Sequence, residues 1–261
     1  MHVTNSIHPT AIVHSSAKIY PNVHIGPYSI IEAGVEIGEG TVIGNHVTIS
    51  GNTVIGKNNK IYHSSSIGED PQDMKFANED TRLIIGDNNL IREFCTINKG
   101  TSQDRNETTI GNNNWIMAYC HIAHDCILGD HIVMANNSTL GGHVEVHDYA
   151  VLGGATLVHQ FCKIGAHVMT AGGSGIQKDV PPFIITHGNF AKPIGVNSEG
   201  LKRRNFNENQ LTYIKRGFKA IYRKDNSIDQ ALEELESLAH ENEIVNLYID
   251  FIKKSTRGLI R

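Results

Sequence analysis

The chain has 261 residues, of which 39% are hydrophobic and 19% are charged, and its formal net charge is −4. This balance is typical of one large globular domain, or of one domain with a small appendage, and it argues against disorder and against nucleic acid as a partner. No run of about 18 apolar residues occurs, and the first residues do not form a signal peptide, so we expect a cytoplasmic protein without a transmembrane segment. The composition is unusual in its 25 glycines and 15 histidines.

The first two-thirds of the chain repeats with a period of six residues. An aliphatic residue occupies every sixth position over 7–67, over 85–97 and, after a shift, over 110–164. A small or β-branched residue often follows four positions later, as at Ser29 and Thr41. Neither a helical period nor strand alternation explains this spacing. Hexapeptide repeats do explain it, because three repeats form one triangular coil with the aliphatic residues inside, and the coils stack into a parallel β-helix.

The four cysteines fit the same pattern. Each lies four residues after an aliphatic position, in the small inward slot, and the set is Cys95, Cys120, Cys126 and Cys162. A free cysteine is a small hydrophobic residue that is often buried. We therefore predict that these thiols serve packing rather than metal binding, redox chemistry or disulfide formation.

Two stretches interrupt the repeat, at about 68–84 and 98–109. Continuing the count through the first would place Asp73 and Glu79 inside the prism, where unpaired carboxylates are very costly. The second spans a number of residues that is not a multiple of six. We expect both to be loops, and long loops on a rigid scaffold often carry function.

The end of the prism is predicted near Pro181 and Pro182, because proline cannot donate to a strand ladder. This gives a β-helix domain over 1–190 and a C-terminal helical domain over 191–261. One helix places apolar residues on a single face, namely Leu211, Ile214, Phe218 and Ile221. Ser227 and Gln230 form a capping box for the next helix. A further helix is expected with Ile244, Leu247, Tyr248 and Phe251.

Several histidines lie outside the inward slots and about one coil apart. They are predicted to gather on one edge of the prism, and they are His121, His124, His143 and His159. Asp125 follows His124 directly, and a carboxylate beside an imidazole can fix its tautomer and stabilise its cation. The pair is therefore a candidate for proton transfer, with a solvated turn histidine as the simpler interpretation.

Five segments carry a resemblance to a known family: "CHIAHDC", "GDHIVMANNSTLGGHV", "VHQFCKIGAHVM", "DVPPF" and "STRGLIR". They resemble the UDP-N-acetylglucosamine O-acyltransferases, hexapeptide-repeat enzymes of the first step of lipid A and lipopolysaccharide biosynthesis, and the resemblance covers essentially the whole chain. It implies a mainly β fold, a left-handed parallel β-helix with a C-terminal α-helical domain, assembled as a homotrimer. It also implies transfer of an (R)-3-hydroxyacyl group from acyl carrier protein to the 3-hydroxyl of UDP-N-acetylglucosamine.

The resemblance also assigns roles to residues of this chain. His124 is similar to the family's general base, Asp125 to its orienting partner, and the Gly142 N–H to the oxyanion donor. Gly172 corresponds to the position that measures acyl length. Residues similar to those that bind substrate are Asp73, Lys75, His121, His143, His159 and Gln160, with Asn197, Glu199, Arg203 and Arg204 on the nucleotide. No metal and no resident cofactor are implied, since the acyl donor is carried on the phosphopantetheine of acyl carrier protein.

Some features depart from the family or allow other interpretations. Asn98 and Lys99 stand where the family often has histidine and arginine, and the loop "TSQDRNETT" differs in composition. The same reaction on a 3-amino sugar, forming an amide, remains open, and so does the acyl length. A zinc carbonic anhydrase of the same fold, with His121, His124 and His143 as ligands, is a further alternative, as is a non-catalytic solenoid.

Overall fold

The computed structural model describes residues 5–261, and its strands wind into a triangular prism closed by helices. Most strands are two residues long, and the second residue is the aliphatic one that points inward, as at Ile31 and Ile37. Three sheets form the sides, and their coils pair in parallel with equivalent residues aligned, for example Ile7 with Ile25. The predicted fold class, a parallel β-helix of hexapeptide repeats followed by helices, is confirmed.

The strands are numbered in chain order and are distributed in turn over the three sheets. The first sheet contains β1 (Ser6–Ile7), β4 (His24–Ile25), β7 (Val42–Ile43), β10 (Lys60–Ile61), β13 (Leu90–Ile91), β16 (Trp115–Ile116), β19 (Val133–Met134), β22 (Val151–Leu152), β25 (Met169–Thr170), β27 (Ile184–His187) and β28 (Lys192–Val196). The second contains β2 (Ile12–Val13), β5 (Ile30–Ile31), β8 (Thr48–Ile49), β11 (Ser66–Glu69), β14 (Thr96–Asn98), β17 (His121–Ile122), β20 (Thr139–Leu140), β23 (Leu157–Val158) and β26 (Gly175–Ile176). The third contains β3 (Lys18–Ile19), β6 (Glu36–Ile37), β9 (Asn52–Ile55), β12 (Arg82–Ile85), β15 (Glu107–Ile110), β18 (Ile127–Leu128), β21 (Glu145–Val146) and β24 (Lys163–Ile164).

The two interruptions of the repeat leave the ladder in register. Residues 70–81 connect β11 to β12, and residues 99–106 connect β14 to β15. Ile67 still pairs with Ile97, and Ile85 still pairs with Ile110. Both loops therefore leave the prism at the same corner, between the second and third sheets, and can meet there.

Inside the prism the small slots form polar ladders as well as apolar contacts. The buried Ser29 and Thr41 hydroxyls donate to the carbonyls of Gly44 and Gly56 at 2.7 and 2.8 Å. Three buried asparagines continue the column of Thr41, and their Oδ1 atoms accept the N–H of the residue one coil further on; they are Asn59, Asn89 and Asn114. Buried polar groups are tolerated because they are paired in this way.

The four cysteines lie in the core, as the repeat predicts. Cys95, Cys120, Cys126 and Cys162 are at most 1% exposed. Burial raises the pKa of the Cys95 and Cys126 thiols to about 12 and that of Cys120 and Cys162 to about 11. Neutral buried thiols act as small apolar side chains.

Each corner of the prism contains a residue in the left-handed region, which the hydrophobic pattern does not reveal. Examples are Asp125 and His143 between the second and third sheets, with φ of 59° and 62°, and Tyr149 and His167 between the third and first, with φ of 61° and 60°. Such a conformation costs roughly 1–2 kcal/mol for a residue with a side chain. The backbone N–H of His143, Tyr149 and His167 donates to a carbonyl of the preceding coil, which holds the turn.

The prediction that Pro181 and Pro182 stop the ladder is wrong. Val180 forms a bridge with Ile164, and after the two prolines β27 pairs in parallel with β25 before β28 turns back antiparallel. The prolines lie in the corner between these pairings, where the ladder needs no N–H from them. The last strand ends at Val196, beyond the predicted limit at residue 190, and the division into two domains stays a prediction.

Four helices follow the prism: α1 (Ser198–Arg203), α2 (Glu208–Tyr222), α3 (Ile228–Glu241) and α4 (Asn246–Lys254). The four apolar residues predicted on one face of α2 are buried, and the predicted capping box of Ser227 and Gln230 begins α3. The last predicted helix is divided, because a 3₁₀ turn (Glu243–Val245) precedes α4. Tyr248 and Phe251 are buried as predicted, whereas Leu247 is 38% exposed and Ile244 only partly buried. Ile249 and Ile252 are buried instead, so the apolar face lies differently from the predicted one.

The helices pack against the end of the prism. Phe218 of α2 and Ile260 belong to the prism core, and Phe183 of the last coil belongs to the helical core. Asp179 is buried, and it accepts a hydrogen bond from the Ser255 hydroxyl at 2.6 Å and from the Lys163 amide at 2.8 Å. Within residues 5–261, none of the helices has both the length and the apolarity to cross a bilayer.

Candidate active site

A groove of about 440 Å³ lies on the second sheet beside the corner with the two loops. Its floor comes from β17, β20 and β23 and the turns that follow them, and Gln72 of the first loop contributes to its wall. Five predicted residues line it together: His121, His124, Gly142, His159 and Gln160. The groove continues along the sheet, since Leu157, Val158 and His159 also line a second, mostly apolar hollow with Ile176.

His124 and Asp125 form an imidazole–carboxylate pair at this groove. The two are joined by a hydrogen bond of 2.8 Å between His124 Nδ1 and Asp125 Oδ2. Burial raises the pKa of Asp125, but hydrogen bonds from His124 and Thr101 outweigh it and hold that pKa below its ordinary value. The carboxylate is therefore ionised and can only accept, which puts the hydrogen on Nδ1 and leaves His124 Nε2 free as a base.

The second loop and β15 fix the carboxylate. Thr101 donates from its backbone N–H to Asp125 Oδ1 at 2.9 Å and from its hydroxyl to Oδ2 at 2.7 Å. The Asp125 N–H donates to the Thr108 hydroxyl at 2.8 Å. Asp125 is 2% exposed. Sequence reasoning missed both threonines. The only signal for them is their position, with Thr101 inside the second loop and Thr108 in the strand that follows it.

Gly142 faces the His124 ring. A Cβ at this position would lie 2.6 Å from His124 Cε1 and 2.7 Å from Nε2, so only glycine allows the approach. Gly142 also lines the groove, and within residues 5–261 its N–H has no acceptor. A free amide beside the free imidazole nitrogen is the arrangement that an oxyanion donor needs.

His143 is beside the groove and is held by a partner that the sequence did not indicate. Its ring stands perpendicular to that of His124, with centroids 5.1 Å apart, and stacks on Phe161 at 4.3 Å. Its Nδ1 bonds to Asp104 Oδ2 of the second loop at 2.8 Å and lies 3.9 Å from Asp125 Oδ2.

The other histidines differ in their surroundings. His121 Nδ1 bonds to the Thr96 hydroxyl at 2.7 Å, and burial followed by the nearby His124 lowers its pKa. His159 and Gln160 are exposed at the groove, and within the described residues the His159 ring bonds only to the adjacent Gln160 carbonyl, at 3.1 Å. Their side chains are therefore available to a ligand.

The first loop places its predicted residues apart from the dyad. Asp73 Oδ1 accepts the Lys75 N–H at 3.0 Å, which makes a tight turn, and the Lys75 side chain is exposed. Asn98, at the base of this loop, donates to the carbonyls of Glu69 and Asp70 at 3.3 and 2.9 Å. Asn98 thus ties the loop to β14, where the family often has a histidine.

The four predicted nucleotide residues lie at a different corner of the chain, between the third and first sheets. Asn197 is 4% exposed, caps α1 through Oδ1 and donates to the His167 carbonyl through Nδ2. Arg204 contacts the His167 ring and lies over Tyr149 at 5.0 Å. Glu199 and Arg203 are exposed. One chain alone does not bring these residues to His124.

Gly172 lies on the third corner, between the first and second sheets. It is exposed, and a Cβ would come no closer than 3.4 Å to the Gly154 carbonyl oxygen. A larger side chain is therefore compatible with the fold. The neighbouring inward slot holds Thr170, whose hydroxyl bonds to the Thr156 hydroxyl at 2.7 Å inside the prism.

The three groups nearest one another, His124, Asp125 and His143, have ligand atoms within 4.8 Å of each other. This set includes a carboxylate in place of the third histidine of the zinc alternative, and His121 is not part of it. Both histidine Nδ1 atoms are occupied by carboxylates. The donor set therefore suits an oriented base better than a three-histidine zinc site.

Comparison with known proteins agrees with this geometry. Residues 107–142 match the model of the bacterial transferase hexapeptide (six repeats), and residues 179–260 match that of UDP N-acetylglucosamine O-acyltransferase, domain 2. With its parallel β-helix and its groove, the chain is a hexapeptide-repeat acyltransferase.

Full-length relatives narrow this class. An acyl-(acyl carrier protein)–UDP-N-acetylglucosamine O-acyltransferase of Thiobacillus denitrificans is 53% identical over 256 residues, covering 98% of this chain and 99% of that protein. One of Herminiimonas arsenicoxydans is 52% identical, with the same coverage. The crystal structure of the UDP-N-acetylglucosamine O-acyltransferase of Moraxella catarrhalis superposes with a TM-score of 0.96 at 45% identity, covering 98% of this chain and 99% of the other. The chain belongs to the family of acyl-(acyl carrier protein)–UDP-N-acetylglucosamine O-acyltransferases.

Proposed function

We propose that the chain transfers an (R)-3-hydroxyacyl group from acyl carrier protein to the 3-hydroxyl of UDP-N-acetylglucosamine, the first step of lipid A biosynthesis, in the cytoplasm. The observation that carries the mechanism is the His124–Asp125 pair with a free Nε2 beside the unpaired Gly142 amide. Full-length relatives at about 50% identity bear this enzyme name, which supports the reaction class.

The proton transfer begins at His124. Its Nε2 takes the proton of the sugar hydroxyl as the oxygen attacks the thioester carbonyl, and Asp125 stabilises the imidazolium that forms. The proton then passes to the departing thiolate of the phosphopantetheine arm. A thioester is already an activated acyl donor, so neither a metal nor a covalent enzyme intermediate is needed.

The negative charge develops on the carbonyl oxygen in the tetrahedral intermediate. The Gly142 N–H is the donor for this oxygen, because it lines the groove and has no other acceptor among the described residues. Such a donor is worth roughly 10²–10³-fold in rate when it is fixed in advance. The ring contact of Gly142 with His124 fixes the distance between base and donor.

Substrate contacts come from the groove and from its surroundings. His121, His159 and Gln160 line the groove and present side chains to the sugar and the acyl head. His143, Asp73 and Lys75 are assigned to substrate by the family resemblance. The acyl tail follows the apolar continuation of the groove past Leu157 and Ile176. Its far end reaches Gly172, where the missing side chain leaves room.

The working unit is a homotrimer with the site in a cleft between two prisms. One chain places Asn197, Glu199, Arg203 and Arg204 on a corner remote from His124, so a neighbouring copy must supply them. Large exposed rings support this, since Trp115, Phe94 and Tyr119 are 42–57% exposed along the prism.

Two products distinguish the proposal from its nearest alternative. Purified protein is incubated with a series of hydroxyacyl carrier proteins and with either UDP-N-acetylglucosamine or its 3-amino analogue, and the products are identified by mass spectrometry. An ester on the 3-oxygen is expected. An amide formed in strong preference would establish the N-acylation alternative, which the relatives' names do not favour. Activity that is independent of the acyl carrier would refute the proposed donor.

A further inference from the structure

The second loop brings a carboxylate to a second imidazole at the active site. Asp104 Oδ2 accepts a hydrogen bond of 2.8 Å from His143 Nδ1, next to the His124–Asp125 pair. The two carboxylate–imidazole pairs stand side by side with perpendicular rings. Nothing in the motif around His124 indicates Asp104, since it lies 39 residues before His143 in the chain.

The surroundings make this contact specific. The His143 side chain is 14% exposed and its ring is fixed between Phe161 and the edge of His124. Among residues 5–261, two carboxylates lie within 4 Å of its Nδ1: Asp104 is hydrogen-bonded at 2.8 Å, and Asp125 Oδ2 is next at 3.9 Å. The Asp125 oxygen already accepts hydrogen bonds from Thr101 and His124.

The loop itself is well held. The Gly100 N–H donates to the Arg82 carbonyl at 3.2 Å, and the Asn106 N–H donates to the Thr101 carbonyl at 3.1 Å. A Cβ on Gly100 would lie 2.3 Å from the Glu107 nitrogen, so the strands at the loop base approach closely. A short, anchored turn therefore holds Asp104 against His143. The same turn binds the Asp125 carboxylate through the two hydrogen bonds from Thr101.

We propose that Asp104 is a positioning residue that holds His143 in its Nδ1–H tautomer and prevents this ring from competing with His124 for Asp125. A carboxylate accepts and does not donate, so the hydrogen is on Nδ1 and Nε2 is the free nitrogen of His143. Without Asp104, the nearest acceptor for that N–H is Asp125 Oδ2. Rotation of His143 towards it weakens the hydrogen bond that orients His124.

This inference rests on the proposed role of His124 as base, and the test separates the two. Asp104→Ala removes the acceptor, Asp104→Asn keeps an acceptor oxygen in the same place, and Ser102→Ala is the matched control. The Ser102 hydroxyl binds Glu79 of the first loop at 3.1 Å and touches no histidine. The ring tautomers are read from long-range ¹H–¹⁵N spectra of histidine-labelled protein at mildly alkaline pH, assigned with His143→Gln and His124→Gln, and kcat/KM is measured in parallel.

In Asp104→Ala the His143 Nδ1–H turns to Asp125, so we expect the signals of His124, which loses this acceptor, to move to the Nε2–H tautomer that neutral imidazole prefers in water. We expect kcat/KM to fall roughly 10–100-fold, the usual effect of losing an orienting carboxylate. Asp104→Asn should keep the tautomer and recover most of the activity, and Ser102→Ala should match the wild type. An unchanged His124 tautomer in Asp104→Ala, or an equal loss in Ser102→Ala, would overturn the proposal. Full activity of a His124 variant would instead overturn the proposed base and leave the tautomer result standing.

Discussion

The corner between the second and third sheets and the corner between the third and first sheets are built in the same way. Each places a residue in the left-handed region in successive coils, and each stacks rings from coil to coil. The first corner stacks His143 on Phe161 at 4.3 Å. The other stacks a longer column, with neighbouring centroids 4.7–5.7 Å apart, made of His131, Tyr149, His167 and Phe183.

The partners of the rings distinguish the two corners. At the first corner the imidazoles of His124 and His143 have carboxylates on Nδ1 and border a groove. At the other corner the His167 ring faces the guanidinium of Arg204, and Asn197 Nδ2 donates a hydrogen bond to the His167 carbonyl. The chain following the prism covers this ring, which is 8% exposed. We call the first the site corner and the second the stack corner.

The difference shows what makes a histidine of a repeat fold reactive. Position within the hexapeptide is not sufficient, since His143 and His167 occupy equivalent left-handed turn positions, with φ of 62° and 60°. A carboxylate on one nitrogen and an accessible second nitrogen are required in addition. Burial and the neighbouring Arg204 cation give the opposite result, because together they lower the pKa of His167 to about 4.

The largest effect is expected from removing the imidazole of the site corner. His124→Ala should lower kcat by about 10²–10⁴-fold with little change in thermal stability, since a general base contributes this much and the ring is outside the core. His131→Ala, which removes an exposed ring of the stack corner, should leave kcat unchanged. Steady-state kinetics and thermal melts of both variants test this. Activity of His124→Ala within tenfold of the wild type would remove His124 as the base, and a collapsed melt would favour a packing role.

A methyl group at Gly142 should have the next largest effect. In Gly142→Ala the new Cβ would lie 2.6 Å from the His124 ring, so the ring must move relative to the donor amide. We expect kcat to fall about 10²-fold, comparable with the loss of an oxyanion donor. The pair Gly141–Gly142 has a counterpart, Gly153–Gly154, at the third corner. A Cβ on Gly154 would come no closer than 3.5 Å to another atom. Gly154→Ala is the matched control, and equal kcat losses in the two variants would contradict the proposed role of Gly142.

The fold could be predicted from the sequence because every sixth residue is aliphatic and must face the core. An aliphatic side chain repeated at Ile25, Ile31 and Ile37 can be buried continuously only if the chain coils at that period. The first loop could be located because Asp73 and Glu79 cannot enter the core, and the second because its length is not a multiple of six. The continuation past Pro181 could not be predicted, since the cost of proline depends on whether its N–H would be needed, and that depends on where the corner lies.

The site could be predicted only where its residues are adjacent in the chain or separated by about one coil. His124 and Asp125 are neighbours, and the coil length brings His143 to them. Thr101 and Asp104 come from a loop whose path the repeat does not specify, so their contacts with Asp125 and His143 could not be predicted. The repeat does not specify the path of the chain after the prism either, so the position of Asn197 and Arg204 at the stack corner could not be predicted.

A smaller effect, on selectivity, is expected at the third corner. Gly172→Met should keep the fold, because the site is exposed and a Cβ meets only the Gly154 carbonyl oxygen, at 3.4 Å. The added side chain should block the end of the acyl groove and shift preference to a chain several carbons shorter, at about 0.8 kcal/mol for each methylene left unburied. The best kcat should stay close to that of the wild type. Competition between hydroxyacyl carrier proteins of different length measures the shift, and an unchanged preference, or an equal loss on all lengths, would make Gly172 a packing residue.

The smallest effect concerns stability and tests the stack corner itself. Burial, followed by the positive charge of Arg204, lowers the pKa of His167 from 6.5 to about 4. The unfolded chain therefore binds a proton at a pH where the folded chain does not, so this contribution to stability is complete above about pH 6.5 and is lost as the pH falls towards 4. The loss over that range is on the order of 2–3 kcal/mol.

His167→Phe keeps a ring between Tyr149 and Phe183 and removes the proton acceptor. Its free energy of unfolding, measured with urea at several pH values between neutrality and the folded-state pKa, should fall less steeply with acid than that of the wild type. His131→Phe replaces an exposed ring of the same column and should retain the wild-type slope. Parallel slopes for His167→Phe and the wild type would show that His167 is protonated without cost in the folded chain. The two corners would then differ only in how accessible their imidazoles are, and not in whether the surroundings lower an imidazole pKa.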